Sequence, residues 1–401
     1  MRTPTLVVVS MLIGSCSTPS LTTLPVPPVS VSTIGTVTTA TTTDITPTMS
    51  SSDTTVSTSI GGWTVIEPPA APVIAAARIG EAVIVGSCSR DGSGGVFRVE
   101  SGRWEQMAAG CITQIGVTSL GIVAIGPGVS AGADRSWSTQ RAVLISSDGE
   151  NWDAVALHER LGFDYPDQLG VPEAVFAPPE DRAVTVLFTR AAEGESRLAT
   201  LLTTTDGETW ELVEGAEIFD NTDIGAVMPG GEGLIAVGAS PGGEFVPTAA
   251  VFTSPDGASW RRVTPTTADF EHKIMTDVIA TPHGFVAVGG DFFETGLMTA
   301  WTSPDGLSWT RSPHPDETLD PSVAQMTAHR ITSLDGVLWA SGEDHDASRS
   351  VSSLSALWKS EDGGRTWQRV ADDVSVPFVL FDDGRVRIAT TADRDVLLIQ
   401  D

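Results

Sequence analysis

Acidic side chains beside a histidine or an aromatic ring recur along this 401-residue chain. Two carboxyl groups about 5–10 Å apart are the machinery of most glycoside hydrolases, and a neighbouring ring could stack on a sugar. An acidic loop could equally bind a basic partner or a calcium ion. Nine residues in such loops are therefore candidates for a ligand-binding face: Arg135, Tyr165, Glu271, His272, Asp291, Phe292, Glu294, Asp344 and His345.

The composition weakens a catalytic interpretation of these candidates. The chain holds 51 Asp and Glu residues, so neighbouring carboxylates arise by chance. The histidine at 345 stands within an acidic run, as is typical of a solvated loop. The sequence has no Walker loop, dinucleotide fingerprint, His-Glu-x-x-His motif or nucleophile elbow. We assign no catalytic residue, no metal site and no cofactor.

A second set of carboxylates belongs to a short repeat, Ser/Thr-x-Asp-Gly-x-x-Trp, whose copy at residues 360–367 carries one extra residue before its glycine. Asp-Gly favours a tight turn between two strands. The aspartate can accept bonds from the amides of its own turn, and the tryptophan can fill space between neighbouring units. We predict structural roles for ten residues: Asp148, Trp152, Asp206, Trp210, Asp256, Trp260, Asp305, Trp309, Asp362 and Trp367.

The spacing of the repeat indicates the elements that carry it. Together with a weaker copy that ends at Trp104, successive tryptophans are 48 to 58 residues apart, which suits a four-stranded propeller blade. The copy ending at Trp260 shows four strands, over 223–229, 233–238, 249–254 and 260–263. Short strands with Gly-rich connections predict an all-β fold.

The two ends of the chain predict how the blades close. Three strand-like runs follow Trp367, over 376–381, 386–391 and 395–400, and no fourth strand comes after them. The segment 61–66, which contains Trp63, reads as a fourth strand with nothing before it. Joining the two completes a seventh blade and removes the free sheet edges. We expect a seven-bladed β-propeller closed by its N-terminal strand, over residues 61–401.

The repeat resembles the Asp-box, or BNR repeat, of sialidases and other propellers. The resemblance covers residues 61–401 and implies the fold more strongly than the function, because Asp-boxes occur in enzymes, receptors and assembly factors. It implies that these turns lie on the outer rim. Photosystem assembly factors of this class carry an arginine patch, whereas the loops here are mainly acidic.

A true sialidase is a poor match. Sialidases are six-bladed and use a tyrosine nucleophile near the end of a late blade, together with three arginines. The only tyrosine here, Tyr165, stands in a loop insertion, and Arg78-Ile79-Gly80 at best echoes the usual Arg-Ile-Pro start. The resemblance therefore implies a sialidase-like fold without sialidase activity.

The N-terminal sixty residues predict a targeting signal followed by a flexible linker. Residues 1–15 contain an apolar run too short to span a bilayer. They end before Cys16 in a pattern that resembles the bacterial lipoprotein signal, which implies a lipid on that cysteine. Ordinary secretion is the alternative. Residues 16–60 are rich in Ser, Thr and Pro, and we expect a disordered linker.

The remaining cysteines, Cys88 and Cys111, fall at the end of one predicted strand and the start of the next blade. Both positions lie on the same face of adjacent blades, so an exported domain would join them in a disulfide worth about 3 kcal/mol. Two free buried thiols are the alternative. Without a third cysteine or an adjacent histidine, a zinc site is not expected.

The charge balance limits the partners. A formal net charge of −28 argues against nucleic acid and against adsorption to an anionic membrane face. We expect a monomer outside the cytoplasm, held at the membrane only through Cys16, that binds a protein or glycan at the cell envelope without catalysis. The alternative is a glycoside hydrolase of the propeller class.

Overall fold

Each Asp-Gly turn of the repeat joins two strands of an antiparallel sheet. The computed structural model describes residues 58–60, 63–66, 72–89, 93–100, 103–126, 143–155, 157, 171–177, 184–191, 197–231, 233–241, 246–264, 270–291, 298–313, 323–346, 354–370, 378–382, 387–390 and 397–400. These residues belong to one compact unit, Val56–Asp401. Within the ranges given, no helix has the length and apolar character needed to cross a membrane.

Strands account for all but one of the elements with described bounds, the exception being a 3-10 helix, Ala216–Phe219. In chain order the strands are β1 (Thr58–Ile60), β2 (Trp63–Ile66), β3 (Val73–Ile79), β4 (Ala82–Cys88), β5 (Gly94–Glu100), β6 (Arg103–Ala109), β7 (Gln114–Thr118), β8 (Gly121–Ile125), β9 (Val143–Ser146), β10 (Asp153–Val155), β11 (Val171–Phe176), β12 (Val184–Ala191), β13 (Arg197–Thr204), β14 (Glu211–Val213), β15 (Asp223–Gly230), β16 (Gly233–Pro241), β17 (Pro247–Ser254), β18 (Arg261–Arg262), β19 (Lys273–Thr281), β20 (Gly284–Asp291), β21 (Met298–Ser303), β22 (Thr310–Arg311), β23 (Val323–Leu334), β24 (Val337–Asp346), β25 (Leu354–Ser360), β26 (Gln368–Val370), β27 (Phe378–Asp382), β28 (Arg387–Thr390) and β29 (Leu397–Gln400).

The strands pair as consecutive antiparallel meanders of four. Sheets 1 to 4 are β3–β6, β7–β10, β11–β14 and β15–β18. Sheets 5 and 6, β19–β22 and β23–β26, are joined by one pair, Gly290 with Thr327. The predicted all-β fold of four-stranded sheets is confirmed. The fourth strands are shorter than expected, as β18 shows with only two residues.

The first strands of successive sheets are neighbours. Contacts join β3 to β7, β7 to β11, β11 to β15, β15 to β19, β19 to β23, β23 to β27, and β27 to β3. Antiparallel meanders that meet along their first strands are the arrangement of blades in a β-propeller.

The last sheet, called here the terminal sheet, combines both ends of the described chain in the order β1-β2-β29-β28-β27. Thr64 of β2 lies opposite Ile399 of β29 in an antiparallel register. The strand β1 falls in residues that the sequence analysis assigned to the disordered linker. It forms because its backbone pairs with β2 from Thr58 to Ile60.

The apolar core lies between sheets. Each cluster of buried residues takes members from two neighbouring sheets and contacts one tryptophan of the repeat. Trp152 packs between sheets 1 and 2, Trp210 between 2 and 3, Trp260 between 3 and 4, Trp309 between 4 and 5, and Trp367 between 5 and 6. Trp104 packs against a cluster that joins sheet 1 to Ile66 and Ile388 of the terminal sheet.

The predicted disulfide is confirmed. Cys88 ends β4 and Cys111 precedes β7, and the two are bonded with their Cα atoms 4.4 Å apart. The bond ties sheet 1 to sheet 2.

Glycine is required near both ends of the second strands because the backbone of a neighbouring segment lies too close to leave room for a Cβ atom. In β20, a Cβ on Gly284 would overlap the carbonyl oxygen of Ser303, and a Cβ on Gly289 would overlap that of Ile274. The first glycine faces the residue that opens an Asp-Gly turn, and the second faces the first strand of its own sheet. This explains the recurring segment Gly-Leu-Ile-Ala-Val-Gly at residues 233–238 and its relative at 284–289.

Replacing Gly289 by alanine tests this constraint. We expect Gly289→Ala to lower the free energy of unfolding in urea by about 3 kcal/mol, because the methyl group meets rigid backbone. The matched control is Gly116→Ala, where the new Cβ would lie 3.4 Å from Val175 Cγ1, an ordinary contact. The control should change stability by less than about 1 kcal/mol. Equal effects of the two substitutions would contradict the assignment.

Candidate functional site

The nine predicted ligand-face residues do not form one described cluster. Arg135, Tyr165, Phe292 and Glu294 lie outside the described residues. Asp344 and His345 stand in β24, opposite Met326 and Gln325 of β23, and not in the loop that the sequence analysis expected. The strand extends this far because Asp344 also pairs with Leu354 of β25, so its backbone has partners on both sides.

Glu271 and His272 belong to the connection between sheets 4 and 5. Phe270 before them is buried between those sheets, and Glu271 is exposed and forms an isolated bridge with Thr248. His272 has a φ of 62°, a left-handed conformation.

The connection between sheets 3 and 4 repeats this backbone. Phe219 is buried, and Asn221, two residues later, has a φ of 57° just before β15. The equivalent position in the next sheet is that of His272. The left-handed turn is therefore a property of the connector that directs the chain into a first strand, and it gives His272 a backbone role.

Asp291 forms a buried ion pair with Lys273. It is 1 % exposed, Lys273 is 2 % exposed, and Lys273 Nζ lies 3.8 Å from Asp291 Oδ2. The same ammonium donates to the carbonyl oxygen of Glu271 at 2.9 Å. In sheet 4 a buried hydrogen bond of 2.8 Å between Thr222 and Ser240 occupies the corresponding place. Asp291 is therefore buried at the end of β20, beside the start of β19, and not in an exposed loop.

The first strands carry a recurring irregularity that the sequence analysis did not foresee. In most of them one residue is skipped in the pairing with the second strand, as in a β-bulge. The skipped residues, of which β23 holds two, are Ile74, Glu173, Gly225, Thr276, Ala324, His329 and Leu380.

Polar side chains of the first strands bond to the backbone of other first strands. Gln114 donates to the Glu173 carbonyl oxygen at 2.8 Å and accepts from the Val175 N–H at 3.2 Å. The Thr276 hydroxyl donates to the Ala328 carbonyl oxygen at 2.6 Å. These bonds join sheet 2 to sheet 3 and sheet 5 to sheet 6, and they satisfy backbone groups on an edge that has no strand partner.

Asp277 and Arg330 extend this network. Asp277 Oδ2 accepts from the Ile331 N–H at 2.9 Å, and Arg330 Nη2 donates to the carbonyl oxygen of Ile74 in sheet 1 at 2.7 Å. Burial raises the pKa of Asp277 to about 6, against the opposing effects of the Ile331 and Val278 amides and the Arg330 charge. A carboxyl group with a pKa in this range suggests acid–base chemistry. Its oxygens, however, already accept hydrogen bonds from the backbone N–H groups of Ile331 and Val278.

A further polar group, missed in the sequence, joins sheets 3 and 4. The Thr189 hydroxyl donates to Glu173, and Arg197 forms ion pairs with Glu173, at 3.9 Å, and with Asp223. Burial raises the pKa of the Glu173 carboxyl, and the Thr189 bond, the Arg197 charge and the Ile224 amide only partly offset it. One signal was available, since a glutamate inside the apolar strand Val-Pro-Glu-Ala-Val-Phe is seldom buried without a partner.

The five turns that contain Asp148, Asp206, Asp256, Asp305 and Asp362, called here the aspartate turns, share one bonding pattern. In the turn at Asp206, the Thr204 hydroxyl donates to Asp206 and accepts from the Gly207 N–H. The carboxylate accepts from two backbone N–H groups, of Glu208 and Thr209. The Trp210 indole donates to the Gly207 carbonyl oxygen at 3.1 Å.

These bonds favour the ionised aspartate. The backbone amides of Thr209 and Glu208 hold the pKa of Asp206 down, at about 2. The pKa values of the other four turn aspartates are also below their ordinary value. In Asp148 and Asp305 the backbone bonds are the largest cause, and in Asp256 and Asp362 the bonds outweigh partial burial. The carboxylates are engaged within their own turns, and no set of metal-ligating side chains converges among the described residues.

Comparison with known proteins adds little to this geometry. No protein-family model and no curated protein matches the chain. Similar solved structures include an alpha-L-arabinanase from Penicillium chrysogenum complexed with arabinobiose, at 12 % identity and a TM-score of 0.40, covering 87 % of this chain and 98 % of that one. The polysaccharide lyase Uly1 is 10 % identical, with a TM-score of 0.45 and coverage of 86 % and 93 %.

A protein of unknown function from Dyadobacter fermentans is 15 % identical, with a TM-score of 0.38 and coverage of 54 % of this chain and 73 % of that chain. Likenesses at these identities and TM-scores assign neither an activity nor a substrate to the present chain.

The aspartate turns predict how stability responds to acid. A group whose pKa is lowered by folding stabilises the fold above its unfolded pKa, near 4, and loses that contribution as the pH falls to its folded pKa. We expect the free energy of unfolding in urea to fall between pH 4 and pH 2, and to fall less in Asp206→Asn.

The matched control is Asp153→Asn, which changes an exposed aspartate on β10 and should keep the wild-type pH dependence. Glu173 and Asp277 have raised pKa values and affect stability in the opposite direction. Their contributions to the free energy of unfolding are present at low pH and are lost as the pH rises through the folded pKa. They are present in all three proteins and cancel in the comparison. Identical acid sensitivity of Asp206→Asn and wild type would show that the turn bonds do not stabilise the ionised form.

Proposed function

We propose that this chain is an exported, seven-bladed Asp-box propeller that binds a partner at the cell envelope without catalysis. Sheets 1 to 6 and the terminal sheet supply the seven blades, with β2 as the strand that closes the ring. The pairing of β2 with β29 supports this proposal, as does the contact of β27 with β3. The cluster that joins Ile66 and Ile388 to sheet 1 is a third support.

Export and anchoring rest on separate observations. The disulfide between Cys88 and Cys111 favours a compartment outside the cytoplasm. The lipid on Cys16 is inferred from the sequence, since residues 1–57 lie outside the described part of the chain. A tether between anchor and propeller would display the domain at the membrane surface as a monomer.

The non-catalytic interpretation rests on one observation above all. Four polar side chains of the first strands are bonded to the backbone of another first strand. Gln114, Thr276, Asp277 and Arg330 each hold another first strand in this way. These bonds tie the four groups to the framework and leave fewer of their donors and acceptors for a substrate.

A glycoside hydrolase is the second candidate, and Glu173 favours it. This carboxyl has a raised pKa, as a general acid requires, and it shares the Arg197 guanidinium with the carboxylate of Asp223. In that mechanism Glu173 would protonate the leaving oxygen while Asp223 acts as nucleophile or base.

Hydrolysis assays separate the two candidates. We expect the full-length chain to release no reducing sugar from a panel of aryl glycosides and soluble polysaccharides, because its central carboxyl groups serve the fold. The matched variants are Glu173→Gln, which removes the acid, and Asp153→Asn, which changes a carboxylate far from it. Sugar release by wild type and Asp153→Asn that Glu173→Gln abolishes, with unchanged melting temperature, would establish the hydrolase and end the non-catalytic proposal.

A further inference from the structure

Each aspartate turn contains the pair Asp-Gly, which is chemically reactive in peptides. The backbone nitrogen of the glycine can attack the carboxyl carbon of the aspartate, because glycine has no side chain to hinder the approach. A C–N bond forms and a C–O bond breaks, and the oxygen leaves as water with the amide proton and one proton from solvent. Water then reopens the five-membered imide, and opening at the main-chain carbonyl gives isoaspartate, whose backbone is one carbon longer.

Four of the five turns hold the attacking nitrogen in a hydrogen bond. The glycine N–H that follows Asp148, Asp206, Asp256 or Asp305 donates to the hydroxyl of the serine or threonine that opens the turn, at 2.8 to 2.9 Å. The nitrogen must give up this proton to react, so the bond stabilises the unreactive form of the amide. These four turns are therefore protected at the atom that would attack.

The turn at Asp362 differs because its extra residue moves this bond. The Ser360 hydroxyl accepts the N–H of Gly364, the second glycine of the turn, at 2.9 Å. The N–H of Gly363, which follows Asp362 directly, has no hydrogen-bond partner among the residues that the structure describes. The attacking nitrogen of this turn therefore lacks the protection found in the other four.

The packing around the glycines differs in the same direction. In the four shorter turns the glycine is buried, and a Cβ on Gly149 or Gly306 would overlap an isoleucine of the preceding sheet. Gly363 is half-buried, and a Cβ there would meet only the ring of His283, at 3.6 Å. Closing the imide ring requires rotation of the backbone between aspartate and glycine, which close packing resists. Gly363 has more room for this rotation.

We infer that Asp362 is the preferred site of isoaspartate formation among the five aspartate turns. The bond between the turn hydroxyl and the glycine amide suppresses the same reaction in the other four. This inference goes beyond the proposed function and does not depend on it.

Isoaspartate at position 362 would act on the interface between sheets 5 and 6. The Gly364 carbonyl oxygen accepts the Trp367 indole N–H at 3.1 Å and also the Ser312 hydroxyl. Trp367 packs between the two sheets. An added backbone carbon two residues before Gly364 displaces this acceptor, so the melting temperature should fall as isoaspartate accumulates.

The test follows isoaspartate in the full-length chain during incubation near neutral pH, well below its melting temperature. Trypsin cleaves after Lys359 and Arg365, so Asp362 is recovered in the short peptide 360–365. Electron-transfer fragmentation distinguishes isoaspartate from aspartate in each peptide. The chain unfolded in urea gives the intrinsic rate of each Asp-Gly pair, by which the folded rate is divided. We expect the corrected rate at Asp362 to exceed that at each other turn at least about fivefold, the ratio that one hydrogen bond sustains.

Two matched serine variants separate the amide bond from a general loosening of the turn. Ser303→Ala removes the acceptor of the Gly306 N–H and should raise the rate at Asp305 about fivefold. Ser360→Ala removes the same hydroxyl from the longer turn, where it accepts from Gly364, and should leave the rate at Asp362 within about twofold of the wild type. Each variant is incubated equally far below its own melting temperature.

The inference is overturned if isoaspartate forms no faster at position 362 than at the other turns, including the case in which none is detected there. It is also overturned if Ser303→Ala leaves the rate at Asp305 unchanged, or if Ser360→Ala accelerates the reaction at Asp362 as strongly as Ser303→Ala does at Asp305. These outcomes leave the proposed function standing, since that function is judged by sugar release.

Discussion

Packing between sheets is the interaction on which the described structure depends. A four-stranded sheet with two apolar faces is stable only when both faces are covered. Here each described core cluster straddles two neighbouring sheets, so the two sheets cover each other's apolar faces at these interfaces. The tryptophan of the repeat sits at each such interface. At five of these interfaces the aspartate turn positions the tryptophan, because the indole N–H donates to a glycine carbonyl oxygen of the turn.

The same dependence explains the central polar groups. Where sheets meet along their first strands, one edge of each strand has no partner in the ladder. Gln114 and Asp277 serve as substitutes for a missing neighbour, accepting N–H groups from the next sheet. Gln114, Thr276 and Asp277 thus hold neighbouring sheets together. Exposed residues at the periphery, such as Leu212 and Glu217, lie outside this framework.

The features that could be predicted from sequence are those that depend on short local patterns of residues. The Asp-Gly turns with their tryptophans, the four-stranded units and the bond between Cys88 and Cys111 all follow from spacing along the chain. The bonds at the centre could not be predicted, because they join residues far apart, as Arg330 and Ile74 show. The bulges that make these bonds possible have no local signature.

The candidate residues show what residue type alone leaves open. Glu271, His272 and Asp291 have the chemical types of a ligand site, and in sequence they look like one. In the structure Glu271 and His272 lie in the connector between sheets 4 and 5, and Asp291 forms a buried ion pair. Their places in the fold are recognised by comparison with the equivalent positions of sheet 4, where Asn221 has the same backbone conformation as His272 and Ser240 takes the place of Asp291.

The pairing of β2 with β29 offers the most direct test of an account in which every sheet needs a neighbour on both sides. Thr64 and Ile399 lie directly opposite each other, so their Cβ atoms should be about 5 Å apart and able to form a disulfide when both are replaced by cysteine. After mild oxidation of the full-length Thr64→Cys, Ile399→Cys chain, with Cys16→Ser to exclude a competing thiol, peptide mapping should recover this bond in high yield. The out-of-register variant, Thr64→Cys with Leu397→Cys, should give little of it. Equal yields from the two variants, or no bond in either, would contradict the closure of the structure by its N-terminal strand.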